Sequence, residues 1–113
     1  MSALLSAVGG DRQLLGELID LFTTTSPALL AEIDAAIVEG DAHALRHSAH
    51  ALKGTLVTLA ARDAAGTARS LEVLGATGDL LDPVVAGEAR AAHVALLGEV
   101  ARVHERLRVE RAA

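Results

Sequence analysis

A chain of 113 residues with a formal net charge of −5 and no cysteine excludes several classes of protein at once. Its length suits one modest core in a single domain over residues 1–113. The missing cysteines rule out disulfides, thiolate metal sites and thiol nucleophiles, and an acidic balance lacks the concentrated basic face that nucleic-acid binding requires.

Hydrophobic residues make up 51% of the chain, yet it holds one Phe and no Trp or Tyr. Much of that apolar content is alanine, which favours closely packed helices. β-Branched residues are scattered rather than alternating, so the expected fold is all-α. In chain order, residues 2–8 predict a short helix with Leu4, Leu5 and Val8 on one side, broken by Gly9-Gly10. Asp11 suits an N-cap. The next helix is expected to run to about Thr23, with Leu15, Leu18 and Phe22 on one face. Thr23-Thr24-Thr25 weakens it, and Ser26-Pro27 reads as a cap followed by the first position of a restarted helix with a possible kink. Leu30, Ile33 and Ile37 stripe that third helix, Gly40 ends it, and Asp41 caps the next.

The helix after Asp41 is expected to end near Ala60-Ala61. A further helix over roughly 63–76 carries Ala68, Leu71 and Leu74. Gly78-Asp79 is a turn, and Asp82-Pro83 opens the last helix. Val85, Ala89, Ala92, Leu96, Val100, Val103 and Leu107 recur there at alternating threes and fours. The arginines in its final turns suit a helix C-terminus, and its last residues are expected to fray. These elements predict an antiparallel up-down four-helix bundle, with additional short N-terminal helices capping one end or lying alongside. The mean hydropathy is +0.38. Charges nevertheless interrupt the apolar runs short of the roughly 20 residues that span a bilayer. Met1-Ser2-Ala3-Leu4-Leu5 lacks the basic start of a signal peptide, so a cytoplasmic protein is expected.

The chemistry concentrates in Arg46-His47-Ser48-Ala49-His50-Ala51-Leu52-Lys53-Gly54. At ~100° per residue, Leu45, Ala49, Leu52, Leu56 and Leu59 share one apolar arc, while His50 points roughly 140° away from Leu45. Lys53, the only lysine, lies near the same side one turn on. Gly54 stands at i+4 from His50 and leaves a gap beside the imidazole. An outward imidazole, an adjacent cation and open space suit a nucleophile toward a phosphoryl group. Imidazole titrates near about pH 6.5 in water, so its neutral, nucleophilic form is abundant at neutral pH.

His50-Ala51-Leu52-Lys53-Gly54 resembles the His-x-Leu-Lys-Gly signature of histidine-containing phosphotransfer (HPt) domains. Gly10-Asp11, Leu21-Phe22 before Pro27, Gly40-Asp41 and Leu59-Ala60-Ala61 fit the same layout, so the resemblance covers nearly the whole chain. Thr55 and Ala60 stand where similar domains often carry Ser and Gly. The resemblance implies a helical bundle that is a phosphocarrier rather than an enzyme. His50 would accept the phosphoryl group, Lys53 would neutralise it, and Gly54 would leave clearance for a partner's active-site loops. Response-regulator receiver domains or a hybrid histidine kinase would be the partners of a monomeric carrier. The receiver would supply Mg²⁺, so no cofactor is expected on this chain.

Arg46, His47 and Val57 are candidate docking residues around His50, and Leu4, Leu5 and Val8 read equally as an apolar patch beside it or as side chains buried against the bundle. No glycine-rich nucleotide motif is present. Ala51 occupies the position directly after the histidine, where kinase phosphoacceptor helices carry an acid. Two other readings stay open on sequence alone. His43, His47 and His50 recur at spacings that could hold a metal, although no carboxylate obviously completes the set. The bundle could also serve as a helical adaptor that is never phosphorylated.

Overall fold

The computed structural model describes residues 3–112, and these form five helices: α1 (Ala3–Ala7), α2 (Arg12–Glu39), α3 (Ala42–Thr58), α4 (Arg62–Thr77) and α5 (Pro83–Ala112). Ser2 and Ala113, which the sequence places in the first helix and in the frayed end, lie outside the described residues. No strand occurs among the described residues, as the scattered β-branched positions predict.

Helices α2 to α5 form the bundle, each packed on its neighbours in chain order, with α5 closing back onto α2. The rod measures 46 × 20 × 19 Å. Polar caps set its corners. Asp11 accepts from the Leu14 N–H at 3.0 Å, and Asp41 from the Ala44 N–H at 3.0 Å. Gly40, at φ 69°, takes the left-handed turn that lets the Asp41 N–H reach the Ala36 carbonyl at 2.9 Å. Asp82 accepts from the Val84 N–H at 2.8 Å. The core joins Phe22 and Ile33 of α2, Leu45, Leu52 and Leu56 of α3, Leu71 of α4, and Leu96 and Leu107 of α5, all at most 1% exposed.

One sequence expectation fails here. The Thr-Thr-Thr-Ser-Pro run neither ends a helix nor restarts one. Pro27 lies inside a continuous 28-residue α2, so a single short N-terminal helix precedes the bundle. The hydroxyls of Thr23, Thr24 and Thr25 donate back to the carbonyls of Ile19, Asp20 and Leu21 within the same helix. An interior proline costs about 3 kcal/mol, and two features offset it. Pro27 and Thr23 both face solvent, so water can reach the carbonyl that loses its partner. Phe22, Ser26 and Ile33 bury one continuous face across the proline against α5 and the core. Tertiary packing here overrides a local breaker.

Along that face, a ring contact of 4.6 Å joins Phe22 to His104. Ser26 and His104 share a 3.0 Å hydrogen bond, and His93 donates to the Leu30 carbonyl at 3.3 Å. Arg111 pairs with Asp20 at 2.6 Å. By length and composition α2 is apolar enough to cross a membrane. In this bundle it buries Leu15, Ile19, Phe22, Ile33 and Ile37 and turns Asp20, Glu32 and Asp34 outward.

The turn between α3 and α4 lies near Ala60-Ala61, as expected, with an unusual backbone conformation. Helix α3 stops at Thr58, and Ala60 adopts φ 56°, the left-handed conformation that glycine enters freely and alanine does not. The Ala61 N–H reaches the Leu56 carbonyl at 2.9 Å, and the Ala60 N–H reaches Val57 at 3.0 Å. Arg106 of α5 donates to the Leu59 carbonyl at 2.7 Å, fastening the turn to the last helix.

Candidate functional site

Helix α3 buries Leu45, Ala49, Leu52 and Leu56 completely, and that stripe fixes where its remaining residues point. The His50 side chain is 67% exposed, on the opposite side of the helix. Gly54 lies beside it, and a methyl group added there would meet nothing within 4 Å. Val57 is exposed one turn further on. Arg46 and His47 are exposed too, and with His43 and His50 they line a small cleft closed by Glu72.

Glu72 of α4 is the residue that sequence reasoning missed. One of its carboxylate oxygens is hydrogen-bonded to Nδ1 of His50, and the other accepts from Nζ of Lys53 at 2.6 Å. The three side chains form one bridged group across the α3–α4 seam. The Lys53 hydrogen bond holds the Glu72 carboxyl below its ordinary range, opposed by some burial and helped by the His50 bond. The acid is therefore ionised at neutral pH and can only accept, so Nδ1 of His50 must carry the proton. In the neutral form of the ring, Nε2 is then the nitrogen with the lone pair.

The signal for Glu72 exists in the sequence but needs the hairpin's register. Helices α3 and α4 fold back about the Ala60–Ala61 turn, which sets His50 opposite Glu72 and Arg46 opposite Gly75. At Gly75 the two helices touch backbone to backbone. A methyl group there would come within 2.6 Å of the Arg46 nitrogen and 2.8 Å of the Ala42 oxygen. One turn before that notch, Glu72 is brought within reach of both partners. Gly75 thus fixes the helix spacing that the bridge needs.

The N-terminal candidates take the buried of their two expected placements, which removes them from the docking set. Leu4 and Leu5 are 5% and 9% exposed and belong to the core, and Val8 is half-buried against it. Apolar side chains at the end of an otherwise open bundle are covered rather than displayed, so Leu4 and Leu5 offer no patch beside His50. The metal alternative also lacks a constellation. Among the described residues no group of three or more His, Cys, Asp or Glu side chains could hold an ion. His43, His47 and His50 line one cleft without forming such a group.

A family model described as Hpt domain matches residues 17–110, which covers α3 and α4 and most of α2 and α5. The chain belongs to the Hpt domain family. No curated protein and no solved structure matches it. Hpt domains are phosphocarrier modules with a phosphotransfer role in two-component signalling, and they work with receiver domains and histidine kinases. This Hpt domain brings His50 and Lys53 of α3 together with Glu72 of α4 at the seam between the two helices.

Proposed function

We propose that this Hpt domain relays a phosphoryl group between receiver-domain aspartates through a phosphohistidine at His50. The observation that carries this reading is the ring's double condition: open to solvent, with Nδ1 engaged by Glu72. Nε2 attacks the phosphorus of an aspartyl phosphate. The P–N bond forms as the acyl P–O bond breaks, and the aspartate carboxylate leaves with the electron pair. The ring gains positive charge while Nδ1 keeps its proton, and the Glu72 carboxylate stabilises that charge. Lys53, on its flexible stem, swings from Glu72 toward the phosphoryl oxygens. Transfer onward reverses each step on a second aspartate.

Positioning and charge stabilisation suffice for such a transfer. In this reading the divalent ion belongs to the receiver, the carrier needs no cofactor, and it works in the cytoplasm as a monomer. Gly54 keeps the approach to Nε2 clear. The test is incubation with receivers phosphorylated by acetyl phosphate, followed by mapping of acid-labile label. Label on the wild-type chain that disappears in His50→Gln, with helicity unchanged, is the expected result. Label retained in that variant moves the acceptor elsewhere and refutes the reading.

A further inference from the structure

Two seams flank the reactive helix, and they differ in charge. On the α2 side, Glu32 and Glu39 line a cleft with His47 and Ser48, and the Ser48 hydroxyl donates to Glu32 at 3.0 Å. On the α4 side an open cleft of about 840 Å³ starts at Lys53 and Glu72 and runs toward the Ala60–Ala61 turn. Its floor holds small residues, Ala61, Ala65 and Gly66, and a methyl group added at Gly66 would meet nothing within 4 Å. Val57 and Val73 wall it, 62% and 49% exposed. Arg62 and Arg69 line it, both exposed and without an ion pair among the described residues. Glu72, the one acid in this cleft, is already engaged by Lys53 and His50.

An apolar trough with free guanidinium groups, on a chain of net charge −5, fits an acidic surface that carries some apolar side chains. A receiver domain is acidic around its phosphorylated aspartate, because holding Mg²⁺ there takes carboxylates. We propose that the receiver docks along the α3–α4 cleft, its acidic rim meeting Arg62 and Arg69, while Glu32 and Glu39 turn it away from the other seam. The cleft is continuous with the site through Lys53 and Glu72, so a receiver seated there brings its aspartate to Nε2 of His50. This assignment rests on the relay reading and replaces the N-terminal patch that the core has absorbed.

The experiment measures phosphoryl transfer to the full chain from receivers phosphorylated by acetyl phosphate, over a range of ionic strength. Arg69→Glu should lower kcat/KM roughly 10-fold through KM, and Arg62→Glu/Arg69→Glu further, with a weakened salt dependence. Arg90→Glu on α5 makes the same charge change at a residue that does not line this cleft and should leave transfer unaltered. Circular dichroism confirms that the variants fold. Equal losses in Arg69→Glu and Arg90→Glu would reduce the effect to net charge and overturn the docking assignment, as would wild-type transfer by the double variant. If no receiver labels the wild-type chain, the relay reading falls first and the docking assignment with it.

Discussion

The α3–α4 hairpin and the α2–α5 pair use the same residue types for opposite ends. Three of the five histidines, His43, His47 and His50, stand exposed on α3. The other two, His93 and His104, are buried or half-buried on α5 and hydrogen-bonded to α2. Charge divides along the same line. Residues 42–77 hold four basic and two acidic side chains, whereas the rest of the chain holds six basic and thirteen acidic. The difference shows that histidine chemistry here is decided by surroundings. On α5, desolvation and a fixed partner make the imidazole a structural bolt. On α3, an open face and an ionised carboxylate leave it accessible and oriented, as the proposed nucleophile requires.

Breaking the α2–α5 side should cost stability and spare the chemistry. Phe22→Ala removes a fully buried ring at the proline-bearing stretch. It is expected to destabilise by about 3–5 kcal/mol in urea unfolding while His50 is still labelled at temperatures where the fold persists. Gly75→Ala on the other side should affect both properties, because its methyl group must push α4 away from the α3 backbone. A loss of about 1–3 kcal/mol is expected, with slower transfer. In a Glu72→Ala background the transfer effect of Gly75→Ala should shrink toward nothing. An undiminished effect there would show that Gly75 acts independently of the carboxylate.

A smaller change should run the other way. Ala60→Gly removes left-handed strain at the hairpin turn and is expected to gain about 1 kcal/mol, read as a rise in Tm with unchanged transfer. The smallest effect concerns pH. Burial pushes the His104 imidazole below its ordinary value. The unfolded chain then binds that proton more readily than the folded one, so stability should fall as pH drops below about 6.5 and level off below the folded value. His104→Gln, which can still bond Ser26, should flatten that part of the stability profile. An identical slope in the variant would assign the acid sensitivity elsewhere.

These contrasts also explain what could be read before the fold was known. The α3 stripe, the caps at Asp11, Asp41 and Asp82, and the outward placement of His50 and Lys53 are local, set by helical periodicity and short-range hydrogen bonds. The continuity of α2 through Pro27 was illegible because it depends on burial against α5, far away in the chain. Glu72 was missed for a related reason. A carboxylate on the next helix becomes a partner of His50 only once the hairpin's turn and the Gly75 notch fix the register. Leu4 and Leu5 stayed open, since apolar residues near a chain end read equally as a patch or as a lid.

The bridge between Glu72 and Nδ1 makes the choice of ring nitrogen the sharpest test of the whole account. Nitrogen-15 and phosphorus-31 NMR of the phosphorylated chain would show which atom carries the group. Phosphorus on Nε2 of His50, with Nδ1 protonated and still bonded to Glu72, is the predicted result. Phosphorus on Nδ1, or on any other residue, would contradict it.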